Sequence, residues 1–225
     1  MAAQKATTPV YVEAGRTRTF ACASAWPGWC RSGKDEASAL AALAAYAPRY
    51  TPIARKAKLP FDPRTVASFR VVERIPGSAS TDFGVPHEIA KGDTRPLSKT
   101  EAERIASLVK AAWAAFDEVA ASAPAQLRKG PRGGGRDRDK IVEHVIGADD
   151  IYARKLGERL AVPQADDRAA IRAFRAAVLA VLEKSSSGTA AVEKGWPQRY
   201  AARRIAWHAL DHAWEIQDRS APAKG

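Results

Sequence analysis

Apolar and polar positions alternate differently in three stretches of the chain. Residues 9–30, PVYVEAGRTRTFACASAWPGWC, carry β-branched and aromatic residues interrupted at Ala14-Gly15-Arg16, which predicts a β-hairpin followed by a Pro-Gly bend. The next segment, GKDEASALAALAAYAPRY, changes period. Ala37, Leu40, Ala41, Ala44 and Ala45 recur at helical spacing, and Asp35 and Glu36 stand where the helix N-terminus favours negative charge. TVASFRVVERI, residues 65–75, is a further strand candidate. The order strand, strand, helix, strand predicts a small α+β domain of ββαβ type over residues 1–75, closed when the helix covers one face of the sheet.

Residues 76–97 are rich in Gly, Pro, Ser and Asp without sustained periodicity and read as a linker. The rest of the chain predicts four helices. The first opens with a capping box, Ser98 and Glu101, and its stripe runs Ile105, Leu108, Ala112, Phe116, Val119. The second, 137–156, has the stripe Ile141, Val145, Ala148, Tyr152, Leu156, and the third, near 165–184, shows Ile171, Phe174, Val178, Val181 and Leu182. In the fourth, near 198–218, the stripe is Ala201, Ile205, His208, His212, Ile216. Four amphipathic helices with short connections predict an all-α four-helix bundle over residues 98–220.

Composition adds limits to this picture. A hydrophobic share of 46% beside 27% charged residues is that of a soluble globular protein, and 225 residues accommodate two modest domains. The N-terminus lacks a signal-peptide core and no window approaches the roughly 18 apolar residues of a membrane span, so the expected compartment is the cytoplasm. A net charge of +11 permits attraction to nucleic acid, anionic membrane or acidic small molecules without choosing among them. Cys22 and Cys30, spaced C-x7-C with no histidine nearby, match no zinc or redox motif and read as reduced, packed thiols.

The candidate chemistry lies in the histidines. His208 and His212 occupy stripe positions where a bundle helix ordinarily carries Leu or Ile, and His144, between Ile141 and Ala148, also points inward. A buried imidazole needs a partner for each ring nitrogen, at a cost of about 1–3 kcal/mol when one is missing. Core histidines satisfied singly are one explanation. A divalent metal satisfies all three together: histidines at i and i+4 reach one ion and the third comes from a facing helix. Three protein ligands leave a coordination position open for water, substrate or a thiol. Glu143, Asp211 and Glu215 are candidates to hold a second ring nitrogen. The pair is not HExxH, because Ala209 stands at the glutamate position.

IVEHVIGADDIYARKLG and AWHALDHAWEIQDR resemble the DinB/YfiT superfamily of metal-binding four-helix proteins, in which one histidine comes from the second helix and an HxxxH pair from the fourth. The resemblance assigns the ligand role to His144, His208 and His212 and implies zinc or nickel. It also implies kinship with thiol-dependent transferases and isomerases, with a low-molecular-weight thiol such as mycothiol as co-substrate. FACASAWPGWCRSGKDEASALAAL resembles the HicB-like antitoxin fold, which implies a unit for oligomerisation, a homodimer for example, or for protein binding.

The expectation is therefore a metal-dependent thiol S-transferase, isomerase or hydrolase acting on a small electrophile. The alternative is a non-catalytic, antitoxin-like interaction module with the bundle as scaffold. A DNA-binding helix-turn-helix is not evident, so nucleic acid is not an expected partner, nor is a membrane. The basic loop 128–140, RKGPRGGGRDRDK, lacks aromatics that stack on bases and reads as a solvated helix connection. Arg199, Arg203 and Arg204 either meet an anionic substrate near the metal or pair with acids at the surface. His87 reads as an exposed loop residue, and Trp207 and Trp214 as packing residues.

Overall fold

A computed structural model of the chain describes residues 7–66, 68–130 and 134–220. Strands β1 (Thr8–Ala14) and β2 (Thr19–Ala23) form the expected hairpin, closed by the Gly15 amide donating to the Arg18 carbonyl at 2.9 Å. The sequence reading missed strand β3 (Cys30–Gly33), which returns antiparallel to β2 after the Pro27-Gly28 bend. It is four residues long, polar and buried only at Cys30, so no alternation marks it. Helices α1 (Glu36–Ala45) and α2 (Ala47–Lys56) replace the single helix expected, because Pro48 interrupts the run. A short turn of helix, α3 (Pro63–Val66), precedes strand β4 (Phe69–Pro76), which pairs parallel to β1. The sheet order is β3-β2-β1-β4, a four-stranded mixed sheet.

Asp35 and Glu36 do stand at the N-terminus of α1, and Asp35 also caps it, forming a capping box with Ser38 that the charge pattern did not show. The buried face of α1 is Ala39 and Leu43, while Ala37, Ala41 and Ala45 are exposed, which corrects the expected stripe. Alanine all round a helix leaves the phase of the pattern undetermined by sequence. Trp29 is fully buried beneath this helix, donating from Nε1 to the Leu43 carbonyl at 2.9 Å and stacking on Tyr50. Cys22 and Cys30 are packed, but the expectation of reduced thiols is corrected: they face one another across the β2–β3 ladder, Cα atoms 4.1 Å apart, and are joined as a disulfide. The missed strand is the reason, since only its register brings the two side chains together.

Residues 76–97, expected as a linker, hold helix α4 (Ala79–Phe83) and a 3-10 turn at Lys91–Thr94. Their anchor is Glu13 of β1, a fully buried carboxylate. It accepts from the Thr81 hydroxyl at 2.6 Å and from the amides of His87 and Glu88 at 2.9 and 3.1 Å. A loop without periodicity is thus fixed by hydrogen bonds to polar side chains, Glu13 among them, instead of by an apolar stripe.

The chain then enters four long helices, α5 (Lys99–Ser122), α6 (Arg138–Lys155), α7 (Arg168–Leu182) and α8 (Gln198–Ser220). The Ser98/Glu101 capping box is present as read. Helix α8 packs along α5 and against α6, and α7 packs on α5. Buried residues occur all round α8, from Tyr200 through Leu210 without a break, because the sheet and residues 76–97 cover the side that α5 and α6 leave open. One apolar core therefore runs from Val10 and Trp29 to Phe116, Ile141 and Ile216. Gly28 marks the closest approach: its φ is +91°, and a Cβ there would lie 2.6 Å from Leu210 Cδ1. Trp214 packs edge-on to Tyr46 and Trp207 edge-on to Phe20, so both tryptophans join α8 to the N-terminal unit. Among the described residues no helix is long and apolar enough to cross a membrane.

Candidate metal centre

The stripe of α6 buries Ile141, Val145 and Tyr152 and turns His144 toward α8. On α8, His208 and His212 stand one turn apart. Their rings meet each other and His144 edge-on, with centroids 4.7–5.0 Å apart. The three sequence-predicted ligands are thus brought together, one nitrogen from each lying within 4.8 Å of the others. His208 Nε2 and His144 Nε2 are 3.1 Å apart.

This donor set fits a divalent ion. A tetrahedral ion with metal–nitrogen bonds of 2.0–2.1 Å holds its ligand nitrogens about 3.3 Å apart, close to the separation of the two Nε2 atoms. Glu215 selects itself from the three acids proposed, accepting from His212 Nδ1 at 2.7 Å and so leaving His212 Nε2 for an ion. Arg219 holds the other carboxylate oxygen at 2.6 Å. Asp211 instead pairs with Arg31 at 2.8 Å, and Glu143 with Lys140 at 2.7 Å. His208 Nδ1 is buried without a hydrogen-bond partner among the described residues.

At two of the three imidazoles, His208 and His144, the surroundings favour the neutral form, which is the form that binds metal. Burial, then the positive charges of His212, His144, Arg204 and Arg136, push His208 well below the ordinary histidine value. Burial also lowers His144, with His212 and Arg136 adding to it and Glu215 opposing. Burial raises Glu215, but its bonds with His212 and Arg219 more than offset this and leave it below the usual carboxylate range.

The other sequence candidates separate clearly. Arg199 pairs with Glu101 at 3.0 Å, and Arg203 is buried against Asp93, whose Oδ1 accepts from Nε at 2.8 Å. Arg204 has no carboxylate partner among the described residues. His87 is exposed, and only its backbone is engaged, the carbonyl accepting from the Tyr200 hydroxyl. Pro131, Arg132 and Gly133 of the basic loop lie outside the described residues; the Arg128 amide donates to the Arg219 carbonyl and its carbonyl accepts from Arg219 Nε, and Lys129 pairs with Asp137. A groove of about 810 Å³, lined on α6 by Val142, Glu143, Ile146 and Gly147, contains none of the three histidines. Sequence reasoning passed over Asp93 because it lies in an aperiodic segment. It placed Tyr152 on the apolar stripe without noting that its ring stands edge-on to His208, 5.8 Å between centroids.

Comparison with protein-family models, curated proteins and solved structures finds no match for this chain.

Proposed function

We propose that this chain is a divalent-metal-binding protein of DinB-like type, in which α5–α8 form a four-helix bundle and His144, His208 and His212 hold zinc or nickel. The observation that carries the reading is the convergence of three imidazole nitrogens from two helices, with Glu215 on the far nitrogen of one of them. A divalent ion with three protein nitrogens supplies a Lewis acid that lowers the pKa of a water or thiol at its open position. The chain's own residues do the rest: Glu215 sets the tautomer and orientation of His212, Arg219 fixes Glu215, and the surrounding core limits access of water to His208. The reaction class is transfer to, or hydrolysis of, a small electrophile, and the family resemblance adds a low-molecular-weight thiol such as mycothiol as co-substrate.

Elemental analysis of the tag-free protein tests the reading. One zinc or nickel per chain is expected in the wild type, with loss in His144→Ala, His208→Ala and His212→Ala. Wild-type protein that carries no metal and takes up neither added zinc nor added nickel would overturn it.

A further inference from the structure

Arginines buried in a protein are ordinarily accompanied by a carboxylate, because an unpaired charge away from water is strongly unfavourable. Arg175, Arg203 and Arg204 are all buried. Arg175 pairs with Asp117 at 2.8 Å and has Asp149 at 3.7 Å, and Arg203 holds Asp93 through two nitrogens. Arg204 differs. Its Nη1 donates to the Pro86 carbonyl at 2.9 Å, its Nη2 stands 3.5 Å from the Tyr152 hydroxyl, and its Nε is buried with no partner among the described residues. The rings of Trp207 and Tyr152 flank the guanidinium at 4.9 and 5.8 Å, a favourable surrounding that adds no negative charge.

The location of this uncompensated charge is specific. Arg204 precedes His208 by one turn on the same side of α8, and Tyr152 touches both, its hydroxyl toward Arg204 and its ring edge-on to His208. No acid bonds His208: its Nε2 meets His144 Nε2, and its Nδ1 has no hydrogen-bond partner among the described residues. Glu215, the acid nearest the centre, is engaged by His212 and Arg219. A divalent ion at the histidines would leave two positive groups side by side without a counter-anion.

We propose that Arg204 and Tyr152 form an oxoanion subsite beside the three-histidine centre, so that the protein's ligand carries a carboxylate or phosphate group; this rests on reading that centre as a metal site. A guanidinium with free N–H groups matches the paired oxygens of an oxoanion, and the adjacent phenol supplies a further donor. The net charge of +11 draws such a ligand toward the chain as a whole. Arg204 is then a specificity residue. It selects the charged end of the ligand and leaves the metal's hold on the protein unchanged.

Calorimetric titration with acetate and with inorganic phosphate, at constant ionic strength, tests this on the full chain in metal-free and cobalt-loaded forms. Cobalt stoichiometry is expected to be the same in wild type, Arg204→Lys and Arg204→Met. Wild type should bind at least one of the two anions saturably, with the preferred anion telling carboxylate from phosphate. Arg204→Met should weaken that binding about 10-fold or more, the loss expected for hydrogen bonds to a charged group, and Arg204→Lys should fall between. Equal anion affinity in wild type and Arg204→Met, or no saturable binding by wild type, overturns the proposal. Should wild type take up no cobalt, the metal reading fails by itself, and the metal-free titration decides the subsite by the same criterion. If Arg204→Met does not fold, the comparison rests on Arg204→Lys, which keeps the charge and loses the fork, and unchanged affinity there overturns the proposal.

Discussion

Arg203 and His208 lie on the same helix, both buried, yet the polar clusters around them are completed in different ways. Around Arg203, Asp93 takes two of the guanidinium nitrogens, the Tyr11 hydroxyl accepts from a third, and the Tyr11 and Tyr200 rings lie within 4.6 and 5.2 Å of it. Around His208, one ring nitrogen meets only another histidine and the other meets nothing. The first cluster fastens residues 76–97 to the sheet and to α8. The second gains nothing from its own polarity while the protein is alone. A buried polar group with its partners in place is structure, and one left open is a place for something else.

That contrast is broken most sharply at Asp93. In Asp93→Ala the Arg203 charge remains buried without its carboxylate, and a loss of about 3–5 kcal/mol in unfolding free energy is expected from urea titration. The metal content of the folded fraction should stay at its wild-type value, because no atom of the histidine centre touches Asp93. A loss below about 1 kcal/mol would mean that Arg203 reaches water easily and that the cluster is not what fastens the segment.

A third cluster lies between the two in completeness. Arg175 is paired with Asp117 at 2.8 Å but stands 3.7 Å from the buried Asp149, whose carboxyl otherwise faces the Trp113 indole. Burial dominates at Asp149 and the nearby Arg175 only partly opposes it, so the carboxyl is pushed up to about 7. The folded chain then holds this proton while the unfolded chain, with an ordinary value near 3.9, has released it. Stability from this group is therefore present below about pH 4 and falls as pH rises through 7, by about 4 kcal/mol in all. Asp149→Asn should remove that slope. Urea unfolding of metal-free wild type and variant between pH 4.5 and 7.5 reads the difference, in which the oppositely sloped contributions of the histidines cancel. A constant difference across the range would show that Asp149 is ionised throughout.

The parts of this molecule that were legible in the sequence are those in which burial repeats with the helix. The stripes of α5, α6 and α7 were readable because Ile, Leu, Val and Phe mark one side of each, and the spacing along α6 and α8 showed three histidines where apolar residues belong. The Ser98/Glu101 box was readable because capping is local. What stayed hidden depends on contacts between distant segments. Strand β3 is too short to show a period, and the Cys22–Cys30 pairing follows from its register. Residues 76–97 are held by Glu13 and by Arg203 of α8, neither of which their composition reveals. Glu215 could not be told from Asp211 or Glu143 because all three sit near the histidines in sequence, and only the folded helices give the other two their own basic partners. Arg199, Arg203 and Arg204 of α8 likewise differ by what lies opposite each one.

The smallest expected effect is the most discriminating between the two α8 clusters. Leu has roughly the volume of the His208 ring and no polar atom, so His208→Leu removes the unpartnered Nδ1 while filling the same space. It does leave His144 Nε2 without its neighbour, but His144 is only half-buried and can turn that atom to water. Metal-free His208→Leu is therefore expected to unfold within about 1 kcal/mol of metal-free wild type, with any change toward greater stability. Its metal uptake should be lost. Wild type loaded with metal should gain stability by the free energy of binding, a gain absent from the variant. Urea unfolding of both proteins, with and without added zinc, reads all of these together. If the metal-free variant loses as much as Asp93→Ala, His208 is part of the structural core in the same sense as Arg203. The open ring nitrogen would then carry no functional meaning.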